Sequence, residues 1–419
     1  MVALYNLGMY ITSALTGVAA RFVPRGNRSK IAAFIAGRRN LMKTIAEELQ
    51  TDKEKKTVWI HAASLGEFAI ARPLIEHMRS SKGCNFVITF FSPSGCEEVK
   101  KDRSRYPNVF YLPWDTPQNA RRFLDTVKPD AAVIMVSEYW HNYLNELHRR
   151  EIPTFLVSSL IPAKSVFFKW YGDNYRKNLN CFTNIFVLDK ASAANLAKLG
   201  YTHAVQTGDP LFDNAAAIAA QPFDDKVIER FAKGGRVFVA GSISDCNDLR
   251  LVASLANAHR DVKFIVVPHS LGEEHIRKTM HAFSGKTVRY SECGEETPLD
   301  GVQNMVVDAM GLLARIYRYG TWAYVGGGFT PYLHSVIEAA VYGLPVSFGP
   351  KTNRKVTPQQ MMQLGIGTKV STCRQMADWF GQLKDNGEEL ARIKAESIAY
   401  TRENTGATEN IARTIESCL

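Results

Sequence analysis

Residues 57–73 read Thr-Val-Trp-Ile-His-Ala-Ala-Ser-Leu-Gly-Glu-Phe-Ala-Ile-Ala-Arg-Pro. The β-branched and aromatic run Thr57 to His61 predicts a strand. Ser64 and Gly66 permit a tight turn, and the chain then enters a helix that contains Pro73 and has Glu67 at its N-terminus. The same alternation continues along the chain. Further strands are expected at Phe86 to Phe90, Val109 to Leu112, Ala131 to Val136, Thr154 to Val157 and Asn184 to Val187, with helix-length amphipathic segments between them. It begins again at Val237 to Ala240 and runs through Lys263 to Val267, Met305 to Val307, Trp322 to Val325 and Val346 to Phe348. Strands alternating with helices predict parallel sheets with crossover helices, so the fold class is α/β with two Rossmann-like domains. The stretch between the two series, with Pro210, Pro222 and paired glycines, predicts a linker at 208–235. The expected domains are therefore 51–207 and 236–419, preceded by an apolar and basic region, 1–50.

The chain has 419 residues, more than one hydrophobic core usually serves. With 46% hydrophobic and 22% charged residues it is neither disordered nor a multi-span membrane protein. A net charge of +10 favours anionic partners: phosphorylated small molecules, an acidic membrane surface or nucleic acid. No concentrated basic-aromatic stripe points to nucleic acid, and that partner is not expected. The seven cysteines are scattered without a C-x-x-C pair, against a disulfide framework or a zinc site, and imply a reducing compartment. The segment Val2 to Val23 is largely apolar, with Asn6 within it and no typical signal-cleavage pattern after it. Arg21, Arg25, Arg28, Lys30, Arg38, Arg39 and Lys43 accompany and follow it, as expected of a domain resting on an anionic cytoplasmic leaflet. Spanning and lying on the membrane are both open, beside the plainer reading of a core helix with a solvated basic neighbour.

Parallel sheets of this kind bind ligands at the carboxyl ends of their strands. There the turn after the first strand offers Ser64, Gly66 and Glu67, and Glu67 reads either as a helix cap or as a functional carboxylate. In the second domain, Gly326, Gly327 and Gly328 precede His334 and a helix expected to begin near Ser335. Their backbone amides and that helix end predict a phosphate cradle, with Glu338 one turn further on as a ribose acceptor, although glycine runs also serve plain turns. Gly241 and Ser242, Pro268 and His269, and Asp308 to Gly311 follow other strands of the same domain. Ser242 and Asp308 read equally well as helix caps, and His269 as an ordinary loop histidine.

Seven segments, in order along nearly the whole chain, resemble the 3-deoxy-manno-octulosonic acid (Kdo) transferases. They are Trp59 to Glu67, Thr89 to Gly95, Tyr111 to Pro117, Glu138 to Asn142, Gly208 to Asp213, Asp308 to Leu313 and Val325 to Phe329. The resemblance implies a GT-B fold, two Rossmann-like domains facing a central cleft, with a membrane-associating N-terminal helix. It implies CMP-Kdo as donor in the C-terminal domain, bound by Gly241, Ser242, Pro268, His269, Gly311, Gly326, Gly327, Gly328, His334, Ser335 and Glu338. A lipid A precursor would be the acceptor, met by Ser64, Gly66, Ser94 and Glu138 at the inner-membrane surface, on the cytoplasmic face. Glu67 matches the family's general base. Transfer would invert the sugar without a metal or other cofactor, and no D-x-D metal motif is present. The chain departs from the family pattern where Tyr332 replaces a glycine, where Pro162 and Leu211 stand in place of basic residues, at Pro268-His269 where many relatives carry an arginine, and at Arg354 to Pro358. Three readings follow, in this order: a divergent glycosyltransferase in lipopolysaccharide biosynthesis, on CMP-Kdo or another sugar nucleotide; a non-catalytic membrane-surface binding protein; and a Rossmann oxidoreductase or epimerase. The last lacks a dinucleotide fingerprint after the first strand of either domain.

Overall fold

The computed structural model describes residues 2–23, 30–352 and 355–419. Arg25, Arg28 and Arg354 lie outside the described residues. The chain divides into two compact units, one of Met1–Asn214 with Thr405–Leu419 and one of Ala215–Asn404.

The first unit holds a seven-stranded sheet of β1 (Thr57–Ala62), β2 (Asn85–Phe90), β3 (Val109–Tyr111), β4 (Ala131–Met135), β5 (Thr154–Ser159), β6 (Asn184–Val187) and β7 (Ala204–Gln206). Its order is β3-β2-β1-β4-β5-β6-β7 and every pairing is parallel. β1 is buried along its whole length, because helices cover both faces of such a sheet. Helix Leu65–Lys82 presents Phe68, Ala71, Leu74, Ile75 and Met78 inward at helical spacing and stops at Gly83 in the left-handed conformation. The strand order reverses between β1 and β4, so the loops after these two strands open the binding crevice.

The second unit repeats the plan with β8 (Val237–Ile243), β9 (Lys263–Pro268), β10 (Thr287–Arg289), β11 (Asn304–Val306), β12 (Trp322–Val325), β13 (Val346–Phe348) and β14 (Gly367–Lys369). These too are parallel throughout, in the order β10-β11-β9-β8-β12-β13-β14, and the reversal lies between β8 and β12.

The domain limits differ from expectation at two places. The stretch 208–235 carries helices Leu211–Ala220 and Lys226–Ala232. The last fifteen residues leave the C-terminal domain and join the first unit. Helix Ala407–Glu416 buries Ala407, Ile411, Ala412 and Ile415 there and packs against Leu65–Lys82. Gly406 has no side chain to cap that helix, and Asp213 substitutes by accepting from Gly406 N (2.6 Å), Thr408 N (2.7 Å) and Thr408 Oγ1 (2.6 Å).

Helix Val2–Phe22 is apolar and long enough to cross a membrane by length and composition. Its polar side is the one that docks: Tyr5 Oη donates to Asp115 Oδ2 (2.6 Å) and Asn142 Nδ2 donates to Asn6 Oδ1 (2.9 Å). Leu4, Leu7, Ile11, Leu15, Val18 and Phe22, spaced three and four apart, form an exposed apolar stripe on the opposite side. The helix is thus not a core helix, since Ala20 alone among its described residues is buried.

Candidate active site

In the first unit the turns after β1, β2 and β4 meet. Ser64 is the N-cap of Leu65–Lys82, and its Oγ faces Glu67 N at 3.5 Å. The Glu67 carboxylate folds back, and Oε2 accepts from Ala63 N at 2.6 Å. Ser92 N donates to Ala63 O (2.8 Å), which sets the Ser92–Gly95 turn against this one. Ser94 is held by Ser92, Oγ to Oγ at 2.8 Å. A Cβ on Gly95 would collide with Phe90 and approach Leu65 N at 3.0 Å, so glycine allows the two turns to touch. Gly66, in contrast, lies inside the helix with only Ser64 Oγ near, at 3.9 Å. It is not required for the turn, and its missing side chain leaves the approach to Glu67 open.

Burial is the main force on Glu67. It raises the carboxyl to about 7; the Ala63 N–H opposes this and the charge of Glu138 adds to it. Glu138, after β4, stands 3.7 Å from His61 Nε2. That ring is buried at the end of β1, beside its register partner Thr89 on β2. Trp140 Nε1–H donates to His61 Nε2 (3.1 Å), and His61 Nδ1 lies 2.9 Å from Thr89 Oγ1. These bonds place the imidazole proton on Nδ1, so His61 offers Glu138 no proton and leaves its charge to act on Glu67. The His61–Thr89–Trp140 web had a sequence signal: a polar residue near the end of each of two adjacent apolar strands.

Asp115 anchors the other side of this region. Fully buried, it accepts from Asn142 N and Tyr143 N (both 3.0 Å), capping helix His141–Arg149, whose own N-cap Trp140 has no side-chain acceptor. Burial raises its carboxyl despite these bonds and that from Tyr5.

In the second unit the glycine loop departs from the expected cradle. Gly326 N donates to Gly241 O (2.9 Å), and Gly327 N donates to the buried carboxylate of Asp248 (2.9 Å). Two of the three amides are therefore already used within the protein. The glycines are required by close packing: a Cβ on Gly326 would lie 2.2 Å from Ser242 O, one on Gly328 2.6 Å from Gly349 N, and Gly327 has φ +87°. Helix Ile337–Ala340 is four residues long and begins after Ser335, so it adds little dipole and puts Glu338 in its first turn. Tyr332 is 77% exposed.

His334 and His269 nevertheless converge, their ring centroids 4.5 Å apart. His334 Nε2 lies 3.0 Å from Ser244 Oγ, which itself donates to Ser242 O (2.9 Å). Nε2 is therefore the protonated nitrogen and Nδ1 an acceptor. Burial, then the charges of His269 and Lys355, lower His334 to about 4, so it is neutral at physiological pH. Ser335 Oγ is buried without a partner among the described residues. Gly241 is fixed by Tyr317, whose Oη a Cβ would meet at 2.1 Å. Pro268 ends β9, and His269 N donates to Ile243 O (2.9 Å). Gly311, at φ +78°, sits in a bend with open space around it. Ser242 is not a helix cap but a strand residue at φ 54°; Asp245 caps helix Cys246–Ala258 in a capping box with Asp248. Asp308 caps nothing either, because Ser291 and Arg289 take its oxygens. Among the described residues no three His, Cys, Asp or Glu side chains gather as a metal would need.

Known proteins resemble this chain in sequence and in fold. The family model for 3-deoxy-D-manno-octulosonic-acid transferase (kdotransferase) matches residues 38–214. The 3-deoxy-D-manno-octulosonic acid transferase of Bordetella pertussis is 25% identical over 86% of this chain and 87% of its own. That of Aquifex aeolicus is 25% identical over 72% and 78%. Among solved structures, a putative UDP-N-acetylglucosamine 2-epimerase from Listeria monocytogenes superposes with a TM-score of 0.62 at 12% identity, covering 87% of this chain and 96% of that one. MurG of Acinetobacter baumannii gives 0.53 at 12% identity over 87% and 99%. These two likenesses carry the fold, while the similarity in sequence to the Bordetella protein extends over most of the chain. Residues 38–214 match the Kdo transferase family model, the chain is similar along most of its length to Kdo transferases of other organisms, and its fold is GT-B.

Proposed function

We propose that this chain transfers Kdo from CMP-Kdo to a lipid A precursor, with inversion, and that Glu67 is the general base. The observation that carries this is a half-buried carboxyl, raised to about 7, at the strand-order reversal beside the side-chain-free Gly66. A base is most useful when its pKa lies near the working pH. In the proposed step Glu67 takes the proton of an acceptor hydroxyl as that oxygen bonds to the anomeric carbon of Kdo. The bond from that carbon to the CMP phosphate oxygen breaks, and CMP leaves with the electron pair. Ser64, Gly66, Ser94 and Glu138 would border the acceptor.

On the donor side, the unpartnered Ser335 hydroxyl and Nδ1 of neutral His334 supply one donor and one acceptor. Gly241, Ser242, Pro268, His269, Gly311 and Glu338 would border the nucleotide, and of the three loop glycines Gly328 would offer its amide. Charge on CMP would then be met by side-chain donors more than by the glycine loop. Helix Val2–Phe22, polar side on the protein and apolar stripe outward, supports an in-plane seat on the cytoplasmic face of the inner membrane over a crossing. Incubating the full chain with CMP-Kdo and a lipid A precursor, with product mass measured, tests the assignment. A product one Kdo heavier is expected; no product, or one made only from another sugar nucleotide, overturns it.

A further inference from the structure

Asp248 is a buried carboxylate that the proposed transfer does not use. It stands in the first turn of helix Cys246–Ala258 and is fully buried. Burial raises its carboxyl; Tyr324, Gly327 and Ser244 oppose this as hydrogen-bond donors, and no cation is among the opposing groups. As a member of a capping box it would need only the backbone of its own turn. Its bonds to that turn are the long ones, Oδ2 accepting from Ser244 N at 3.1 Å and from Asp245 N at 3.4 Å. The shorter ones leave the helix. Oδ1 accepts from Tyr324 Oη on β12 at 2.7 Å, and Oδ2 from Gly327 N in the glycine loop at 2.9 Å. Capping accounts for the two longer bonds and not for the two shorter.

Oδ2 thus joins the turn after β8 to the loop after β12, and His334 rests on both. His334 Nε2 lies 3.0 Å from the Oγ of Ser244, a residue whose N–H Asp248 holds. Its Cδ2 packs so close over Gly327, the other such residue, that an added Cβ would lie 2.9 Å away. The backbone of His334 is fixed separately, its N donating to Gly326 O at 3.2 Å. What remains to be set is the orientation of the ring, and with it the proton on Nε2 that leaves Nδ1 as an acceptor. We propose that Asp248 is a positioning residue of the donor site: by holding Ser244 N and Gly327 N on one oxygen, it orients the His334 ring and fixes its tautomer. This rests on the reading given above, in which His334 faces the sugar nucleotide.

The test is a nitrogen–proton correlation spectrum of the full chain with isotope-labelled histidine, which shows which ring nitrogen of a neutral histidine carries the proton. The His334 signal is identified by its loss in His334→Asn. In wild type the proton should sit on Nε2. Asp248→Ala removes both ties, and the signal should become the average of two tautomers. Asp248→Asn keeps an oxygen for Ser244 N and Gly327 N, so the wild-type signal should return. Tyr324→Phe removes the bond to Oδ1 without touching either tie and should leave the signal unchanged. CMP affinity by calorimetry should follow the same order, about tenfold weaker in Asp248→Ala and within about threefold of wild type in the other two. Asp248→Ser replaces the alanine variant if that one does not fold. A fixed Nε2 proton in the folded truncation, an asparagine variant as loosened as the truncation, or equal loosening by Tyr324→Phe overturns the proposal. Failure of wild type to bind millimolar CMP overturns the donor reading instead, and the tautomer spectrum still judges Asp248.

Discussion

Glu67→Gln should slow transfer and stabilise the protein at the same time. Glutamine retains an acceptor for Ala63 N–H and nearly the same volume, so the turn persists. Loss of a general base costs about a hundredfold or more in rate. The stability effect follows from the carboxyl's move from 4.5 to about 7. A raised carboxyl pKa means that the folded state prefers the protonated form. Its contribution is fully present below 4.5, declines as pH rises to about 7, and stays lost above that. At 1.36 kcal/mol per pH unit the full loss is about 3 kcal/mol, and partial solvent access reduces this to roughly 2 kcal/mol. Glutamine cannot ionise and escapes the loss. Calorimetric unfolding of wild type and variant at pH 5 and pH 8 should therefore show similar stability at pH 5 and an advantage to the variant at pH 8. The rate of wild-type transfer should rise with pH around 7, an acid limb that the variant lacks. Near-normal turnover in the folded variant refutes the base assignment, and a pH-independent stability difference refutes the burial argument behind it.

Glu138→Gln removes the negative charge that helps raise Glu67, so the acid limb of the pH–rate profile should move to lower pH. An unmoved limb would show that Glu138 does not act on Glu67. Asp213→Ala deletes three hydrogen bonds to the start of Ala407–Glu416, at a cost of about 2–4 kcal/mol. Limited proteolysis should release the C-terminal residues first, and cleavage no faster than in wild type would contradict this. Glu338→Ala should weaken CMP binding by about tenfold to a hundredfold if the residue accepts from the ribose, measured by calorimetry. Unchanged affinity would remove Glu338 from the donor site, and failure of wild type to bind millimolar CMP would favour the non-catalytic reading.

Eleven strands were legible from alternation and β-branched content. The three missed, β7, β10 and β14, are three-residue strands at or beside the polar rim of their sheets. A central strand announces itself because both faces are buried; an edge strand has only one neighbour and no need of an apolar run. The return of residues 405–419 to the first unit was hidden for another reason. It depends on Asp213 reaching a helix nearly two hundred positions away, and no local pattern encodes such a pairing. The glycine loop misled because glycine serves two physical ends. At Gly326 and Gly328 it allows backbones to touch, and sequence does not separate that use from an exposed anion nest.

The cap and base readings of Glu67 turn out to be compatible. A carboxylate at this position would ordinarily gain from the helix N-terminus and fall below 4.5. Here it spends its hydrogen-bonding capacity on one amide, Ala63 N, while the meeting of the three turns leaves it only partly open to water. Burial then outweighs the single hydrogen bond, and Glu138 adds repulsion because the Trp140 bond keeps the His61 proton on the far nitrogen. The capping geometry thus fixes the position of the carboxyl, and the buried neighbours set its proton affinity. Trp140→Phe isolates the second part. Without the indole N–H, His61 is free to carry its proton on Nε2 and donate to Glu138, whose charge is then less available to Glu67. The acid limb should shift downward, in the same sense as in Glu138→Gln, with Ala63–Glu67 geometry unchanged. A shift upward, or none, would show that the indole acts on Glu67 by packing alone.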